Sequence, residues 1–250
     1  MPRIFADTDA LKADRITLAG EWHHYVARVL RMGAGDRVCL FDGRGVEVEG
    51  TIERVSARDV TLGLGARTFV AMPPVAPVTL LQGLPRADRM DLIVQKATEL
   101  GAGRLIPVRT ARTAAGQRGR LDRWTRIARE AERQCGRGTS LELSDVVPLA
   151  DALAALGPEY TLRAMPWEEA APQAPSLRRL LGPPSGADAA SGGVALLIGP
   201  EGGITPDEAE LATGAGFRVT TLGPRILRTE TAAIAALAVV QAALGGLGPP

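Results

Sequence analysis

Two segments near the C-terminal end of the 250-residue chain read Leu196-Leu197-Ile198-Gly199-Pro200-Glu201-Gly202-Gly203-Ile204-Thr205 and Leu222-Gly223-Pro224-Arg225-Ile226-Leu227-Arg228-Thr229-Glu230-Thr231-Ala232. Each reads as an apolar strand that runs into a Gly-Pro turn and then into the start of a helix. Two such turns at the carboxyl ends of adjacent parallel strands form a pocket lined by backbone, where open α/β sheets bind ligands. We therefore expect the chemistry of the chain at these turns.

The composition is that of an ordinary globular protein, with 46% hydrophobic and 23% charged residues and a formal net charge of +1. No apolar stretch is long enough to span a membrane, and Met1-Pro2-Arg3 does not begin a signal peptide. We therefore expect a cytoplasmic protein with no membrane partner. Cys39 and Cys135 lack the spacing of metal ligands, so neither a metal site nor a disulfide is expected.

The first part of the chain, up to Phe69, contains short runs rich in β-branched residues between turn residues. These runs predict strands at Arg15–Leu18, Arg37–Phe41, Val46–Val55 and Val60–Leu64, with one helix at Glu21–Arg31. Short, closely spaced strands favour a small β-barrel, which we assign to residues 1–70. Three prolines within residues 71–77 predict a stiff linker and a domain boundary.

From residue 78 onward the pattern alternates between strand and helix, which predicts an α/β domain over residues 78–250. The predicted strands are Val78–Leu81, Leu105–Val108, Thr161–Ala164 and Val194–Ile198. Two helices are predicted. The first is capped by Asp88 and ended by Gly101, and the second, which is very basic, covers Gly119–Cys135. Val194–Ile198 has no polar alternation, as a central parallel strand requires. Gly182–Gly193 reads as a flexible loop.

The first Gly-Pro turn leads into a helix start with Thr205 as N-cap, Pro206 at the first helical position and Glu208 completing a capping box. An ordinary strand-to-helix turn is the alternative interpretation. Glu201 would repel a phosphate, and no Gly-x-Gly-x-x-Gly or Gly-Lys-Ser/Thr motif occurs in the chain. The turn therefore favours a ligand that is read by backbone groups, such as an adenosine.

The second turn places Arg228, Glu230 and Thr231 at the start of a long apolar helix that runs to Leu244. A helix with so little polar surface is expected to be buried in the core or across a subunit interface. Simple capping by Thr229 and Glu230, and a surface ion pair between Arg228 and Glu230, are the alternatives to a functional role.

Together these segments resemble the SPOUT methyltransferases and, within them, the RsmE family. Further stretches carry the resemblance: His23-His24-Tyr25-Val26-Ala27-Arg28-Val29-Leu30-Arg31, Gln95-Lys96-Ala97-Thr98-Glu99-Leu100-Gly101 and Glu132-Arg133-Gln134-Cys135-Gly136-Arg137. The resemblance implies a SPOUT-type parallel sheet with a deep trefoil knot and an N-terminal PUA-like RNA-binding barrel. It further implies that the protein uses S-adenosylmethionine to methylate uridine N3 in 16S ribosomal RNA. The RNA would be part of the small ribosomal subunit or of an assembly precursor, and the enzyme would be a homodimer.

The resemblance also implies the site residues. The cofactor would be held by Leu197, Ile198, Gly199, Pro200, Glu201, Gly202, Gly203, Leu222, Gly223, Ile226, Leu227 and Arg228. RNA would be bound by Arg3, His24, Arg28, Arg31, Arg86, Lys96, Arg112, Gln134 and Arg137. Nine arginines against three acidic residues between Arg109 and Arg137 fit phosphate contacts, with a solvated helix face as the alternative.

Loss of the uracil N3 proton requires a base or a cationic group nearby. We assign the electrostatic role to Arg228, a proton-accepting or orienting role to Glu230 and a hydrogen bond to the base to Thr231. Alternatives are a non-catalytic ribosomal RNA-binding protein and a SPOUT methyltransferase acting on another nucleotide. A hydrolase with Glu201 or Glu230 as base is a weaker alternative, since no Gly-x-Ser-x-Gly motif occurs.

Overall fold

The computed structural model describes residues 1–69, 77–86, 88–182 and 192–247. The chain divides into two compact units, the first formed by Met1–Met72 with Glu132–Ser140 and the second by Pro73–Ala131 with Leu141–Pro250. The domain boundaries predicted from the sequence did not include Glu132–Ser140 in the first unit. The proposed linker lies, except for Pro77, outside the described residues, as does most of the Gly182–Gly193 loop.

The first unit is built on five strands, β1 (Arg3–Phe5), β2 (Arg15–Ala19), β3 (Arg37–Phe41), β4 (Val46–Val55) and β5 (Asp59–Phe69). They form one sheet in the order β1-β3-β4-β5-β2, in which only the β1–β3 pair is parallel. A short helix α1 (Gly20–His24) continues directly into a π-helical turn at Tyr25–Val29. All four predicted strands and the predicted helix are confirmed; β1 was not predicted, because three residues are too short for a periodic signal.

Apolar residues from all five strands meet in a single core, which includes Ile4, Leu18, Leu40, Ile52 and Leu62. Two register shifts in the β4–β5 pair bend these long strands and help the sheet to curl around that core. Within residues 1–69, however, the edge strands β1 and β2 do not pair with each other. The prediction of a barrel is therefore corrected to a curled five-stranded sheet, since local strand patterns do not determine whether a sheet closes.

The second unit alternates strands and helices, as the sequence predicted. Its elements are β6 (Val78–Gly83), α2 (Arg89–Glu99), β7 (Arg104–Arg109), α3 (Leu121–Cys135, whose last turn counts with the first unit), β8 (Glu142–Leu143), β9 (Val147–Pro148), α4 (Leu149–Ala154), β10 (Tyr160–Pro166), α5 (Leu177–Leu180), β11 (Gly193–Ile198), α6 (Pro206–Gly214), β12 (Arg218–Thr220) and α7 (Thr229–Leu244). The sheet has the order β12-β10-β11-β6-β7-β8, with β9 also on β7, and every pairing is parallel.

The sheet is covered on both faces, and its central strands β6 and β11 are buried along their whole length. One core contains Leu196 and Ile198 of β11 together with residues of α2 and α7. The other contains Leu197 of the same strand with residues of α4 and α6. This explains why Val194–Ile198 has an apolar side chain at every position: successive residues face opposite layers, and both layers are core.

Two of the predicted helix signals have different outcomes. The capping box at the start of α6 is confirmed, because Thr205 Oγ1 accepts from the Glu208 amide and the Glu208 carboxylate accepts from the Thr205 amide. The prediction that the Asp88 side chain caps α2 is wrong. Asp88 occupies the N-cap position, but its side chain makes no capping bond and lies instead 3.5 Å from Arg120 Nη1.

Helix α7 packs over the centre of the sheet and buries Ala233, Ala236, Leu237 and Val240. The prediction that this apolar helix is buried is confirmed for that face. Among the described residues, no helix is both long and apolar enough to cross a bilayer. The position of α7 over β6 and β11 brings its first residues to the carboxyl ends of these strands.

Candidate active site

The first Gly-Pro turn, residues 199–205, follows β11 directly. Gly203 has a φ of +75°, a conformation that side chains other than glycine adopt only with strain. Its amide donates to the carbonyl of Pro200 at 2.9 Å, which closes the turn. Gly199 packs so tightly against Gly203 that a Cβ at position 199 would lie 3.1 Å from backbone carbon. The glycines are therefore required by the close return of the chain.

The second turn, residues 221–228, follows β12, and Gly223 within it has a φ of +109°. The sequence predicted that the strands leading into the two turns are adjacent, and this is wrong. Strand β10 lies between β11 and β12 and pairs with both in parallel. All three parallel strands have their carboxyl ends at the same edge of the sheet. The two turns therefore still lie at the edge where the site was expected.

Buried hydrogen bonds join the two turns. Thr229, the first residue of α7, donates from its hydroxyl to the Gly199 carbonyl oxygen at 2.6 Å. The side-chain amide of Gln82, at the end of β6, donates to the same hydroxyl at 2.9 Å. The alternative role of Thr229 as a simple helix cap is therefore excluded, since the N-cap of α7 is Arg228, without a side-chain capping bond.

A third wall of the site comes from the segment after β10, which the sequence analysis did not identify. The indole of Trp167 donates to the carbonyl of Ile204 at 3.0 Å, and the Trp167 amide donates to the carbonyl of Thr220 at 3.1 Å. Trp167 thus connects the first turn to the end of β12, and Glu168 beside it faces the cavity. Their place directly after an apolar strand was the only signal in the sequence that pointed to them.

The three segments enclose a cavity of about 600 Å³. Its lining comprises Arg89, Pro166, Trp167, Glu168, Ala170, Ile198, Gly199, Pro200, Glu201, Gly202, Gly203, Thr221, Leu222, Gly223, Pro224, Arg225, Ile226, Leu227, Arg228, Thr229 and Ala232. Every residue assigned to the cofactor lines this cavity except Leu197. That residue is fully buried in the core on the other face of the sheet, because it alternates with its neighbours along β11.

The three residues assigned to catalysis have different surroundings. Arg228 is exposed and lines the cavity, whereas Thr231 is exposed and lies outside the lining. The Glu230 side chain is only 14% exposed, and its Oε2 atom is buried without a hydrogen-bond partner in the described part of the chain. Its Oε1 atom lies 4.0 Å from Arg89 Nε, so the ion pair considered between Arg228 and Glu230 is replaced by a contact with Arg89.

Arg89 also explains how an acidic residue is tolerated in the first turn. Its Nη1 atom donates to Glu201 Oε1 at 2.7 Å, and the backbone amide of Arg86 donates to the same oxygen at 2.9 Å. The Glu201 carboxylate is therefore neutralised by α2 and by the loop before it. Arg86, assigned to RNA, contributes its backbone here, while its side chain is exposed.

In the first unit, Arg3 and Arg137 contribute to packing as well as charge. Arg3 donates to Glu47 at 2.5 Å and to the Arg137 carbonyl at 3.3 Å, and its guanidinium lies 4.7 Å from the Phe41 ring centroid. Burial lowers the pKa of Arg137, although the nearby Glu132 carboxylate opposes this shift. The other residues assigned to RNA in this unit are exposed, namely His24, Arg28, Arg31 and Gln134.

The first unit also contains a cluster that the sequence did not predict. The Arg133 guanidinium lies 4.0 Å from the ring centroid of Tyr25 and 5.8 Å from that of Trp22. The two rings meet edge to face. Residues 22 and 25 are one helical turn apart, but their pairing with position 133 depends on the return of Glu132–Ser140 to this unit.

In the second unit, the remaining residues assigned to RNA are occupied by intramolecular contacts. Lys96 forms an ion pair with Glu99 at 2.7 Å. Arg112 donates to the Gly202 carbonyl at 2.9 Å and lies 3.5 Å from Glu169, so it supports the first turn. Among the residues described here, no group of acidic, histidine and cysteine side chains could hold a metal ion.

Comparisons with known proteins agree with this architecture. A family model described as an RNA methyltransferase domain matches residues 72–241, and one described as an RNA methyltransferase PUA domain matches residues 20–64. The ribosomal RNA small subunit methyltransferase E of Bacillus subtilis is 31% identical over 92% of this chain and 91% of its own length.

Two solved structures are similar along nearly the whole chain. The ribosomal RNA small subunit methyltransferase E of Neisseria gonorrhoeae bound to S-adenosyl methionine is 30% identical, with a TM-score of 0.82 and 97% of each chain covered. A methyltransferase from Legionella pneumophila in complex with the same cofactor is 32% identical, with a TM-score of 0.81, and covers 96% of this chain and 97% of its own.

The matched domains and the site define the class: the chain belongs to the RNA methyltransferases that combine a PUA domain with a methyltransferase domain. Within that class it is a member of the ribosomal RNA small subunit methyltransferase E family, to which the resemblance seen in the sequence pointed.

Proposed function

We propose that this protein transfers a methyl group from S-adenosylmethionine to N3 of a uridine in 16S ribosomal RNA. One observation carries the proposal: a cavity of about 600 Å³ between two glycine turns that buried hydrogen bonds tie together. Its volume is within the range of cavities that bind small molecules. The two structural relatives described as bound to S-adenosylmethionine have the same fold over nearly their whole length.

The residues present fit the cofactor. Gly199 and Gly203 line the cavity without side chains, so ligand atoms can approach the backbone of the first turn closely. The apolar residues Ile198, Leu222 and Leu227 line the same cavity and suit the face of an adenine ring. When bound, the cofactor supplies an electrophilic methyl carbon next to a sulfonium leaving group.

The charged residues of the cavity suit the removal of the uracil N3 proton. Arg228, at the rim, would stabilise negative charge on the uracil oxygens as the ring loses its proton. Glu230, with a buried oxygen that lacks a hydrogen-bond partner among the described residues, would receive that proton directly or through water. The N3 lone pair would then attack the methyl carbon as the carbon–sulfur bond breaks. Arg89 would orient Glu230, and Thr231 would bond the base from outside the lining.

In the first unit, the exposed residues His24, Arg28, Arg31 and Gln134 surround α1 and the π-helical turn, and we assign RNA contact to this surface. Phosphate groups would pair with the arginines. The stacked Arg133–Tyr25 pair offers an aromatic platform for an unpaired base. Arg3, Lys96 and Arg112, also assigned to RNA, have protein partners, so their side chains would add less.

We further propose the trefoil knot and the homodimer. The chain passes from β12, at the sheet edge, to α7 over its centre, and on the way Thr221 exchanges backbone bonds with Pro175 and Leu177. That course supports a trefoil knot in which the chain threads past the segment before α5.

Ile234 and Ala238, on the partly exposed side of α7, would form the subunit contact of the homodimer. Analytical ultracentrifugation of the parent protein should give twice the 26.2 kDa mass of the chain. The Ala238→Glu variant should sediment with the mass of a single chain.

The test of the function is methylation of small ribosomal subunits from a strain that lacks the gene, with nucleoside mass spectrometry as the readout. We expect 3-methyluridine to appear only with protein and S-adenosylmethionine. Arg228→Ala should lower the rate at saturating RNA and cofactor by about 100-fold or more, whereas Arg218→Ala, exposed on β12, should not. RNA binding without methylation would indicate a non-catalytic binder, and another methylated nucleoside would overturn the substrate.

A further inference from the structure

Glu168 is an acidic residue of the cavity lining to which the proposed function assigns no role. Glu201, the other acidic residue of the lining, is neutralised by Arg89 and by the Arg86 amide. Glu168 has no ion pair or hydrogen bond within residues 1–69, 77–86, 88–182 and 192–247. The residue is exposed, and its carboxylate faces the cavity. A cationic group of a bound ligand can therefore pair with it.

The backbone around Glu168 brings its carboxylate to the first turn. A Cβ built on Gly203 would overlap Glu168 Oε1, so the carboxylate lies directly over the first turn. The neighbouring residue Trp167 holds the segment by its bonds to Ile204 and Thr220, one to each side of the site. Glu168 is therefore presented to the cavity from a backbone tied to both the β11 and β12 ends.

The remaining charges in the lining favour a negative group beside a cationic ligand. Arg225 and Arg228 carry positive charge into the cavity without an acidic partner among the described residues, whereas the charge of Arg89 is offset by Glu201 and Glu230. S-adenosylmethionine carries a sulfonium, an ammonium and a carboxylate group, and the two cationic groups would be repelled by Arg225 and Arg228. A carboxylate over the glycine turn would offset that repulsion where the ligand meets the backbone.

We propose that the Glu168 carboxylate binds the positive charge of S-adenosylmethionine in this site. The proposal rests on the proposed function and adds a recognition residue on the wall after β10. If the partner is the sulfonium group, Glu168 also favours the substrate cofactor over its product, S-adenosylhomocysteine, which lacks that charge. If the partner is the ammonium group, the two are bound alike.

Calorimetric titration separates these cases without measuring turnover. The protein and its Glu168→Gln variant are titrated with S-adenosylmethionine, S-adenosylhomocysteine and 5′-methylthioadenosine, which has neither charge. We expect Glu168→Gln to weaken S-adenosylmethionine binding by about tenfold, as for loss of one charge-assisted contact, and to leave methylthioadenosine within twofold. Unchanged S-adenosylhomocysteine affinity identifies the sulfonium group, and an equal loss identifies the ammonium group.

Glu210→Gln is the matched control, since Glu210 is exposed on α6 and outside the lining. It should bind all three compounds like the parent protein. Glu168→Lys should weaken S-adenosylmethionine further than Glu168→Gln, and thermal melting verifies that each variant is folded. The proposal is overturned if Glu168→Gln binds S-adenosylmethionine within twofold of the parent, or loses affinity equally for all three. Failure of the parent protein to bind any of them would contradict the proposed function itself.

Discussion

The hydroxyl of Thr229 donates a 2.6 Å hydrogen bond to the carbonyl oxygen of Gly199, thirty residues earlier in the chain. The bond joins the start of α7 to the first glycine turn, and the Gln82 amide donates to the same hydroxyl at 2.9 Å. Both side chains are buried. The start of α7 is therefore fastened to the first turn by polar side chains that are largely buried.

Replacing Thr229 by valine keeps the shape of the side chain and removes the hydroxyl. The Gly199 carbonyl and the Gln82 amide would each lose a partner in a buried place, which costs about 1–3 kcal/mol of unfolding free energy. We expect urea unfolding of Thr229→Val to show that loss and cofactor affinity to fall with it. Thr229→Ser retains the donor and should remain within about 1 kcal/mol of the parent; equal destabilisation by both variants would assign the effect to packing.

Arg112 provides a test between two roles for the same side chain. The sequence suggested RNA contact, whereas the guanidinium donates to the Gly202 carbonyl at 2.9 Å and lies 3.5 Å from Glu169. We expect Arg112→Ala to weaken S-adenosylmethionine binding about three- to tenfold, the cost of one charge-assisted hydrogen bond at an exposed site. Arg118→Ala, at an exposed position nearby, should leave cofactor affinity unchanged. A loss confined to RNA affinity would restore the original assignment.

Gly203 should tolerate no side chain. Alanine there would be strained at a φ of +75°, at about 1–3 kcal/mol, and its Cβ would displace Glu168. We expect Gly203→Ala to lower the melting temperature and to abolish measurable cofactor binding. Gly214→Ala is the control, because its Cβ meets nothing within 4 Å and its φ is not positive. Normal binding by Gly203→Ala would show that the first turn can rearrange.

The thiol of Cys39 is expected to make the free energy of unfolding depend on pH in the alkaline range. Burial and the nearby Glu47 carboxylate raise the pKa of this thiol to about 11. Because the folded protein holds the proton more tightly than the unfolded chain does, unfolding free energy falls as pH rises from about 9 towards 11. The unfolding free energy lost over this range is on the order of 2–3 kcal/mol. Melting at pH 8 and pH 10.5 should show a smaller fall for Cys39→Ala than for the parent or Cys135→Ala; parallel falls would contradict this.

Much of the second unit follows from local pattern. The uniformly apolar run Val194–Ile198 indicates a strand with core on both faces, and β11 is that strand. Thr205, Pro206 and Glu208 predict the start of α6, and the capping box forms there. In the first unit, β4 has the predicted bounds Val46–Val55. These features depend on residues within a few positions of one another, where backbone geometry alone relates sequence to structure.

The sequence by itself therefore determined the alternation of elements, the two glycine turns and most of the residues that line the cavity. Only the tertiary structure decided that β10 separates β11 from β12, and so that Trp167 and Glu168 complete the site. It also decided that Leu197 faces away from the cavity and that Arg133 lies over Tyr25. The order of strands and the return of distant segments depend on packing across the whole chain, which no local periodicity specifies.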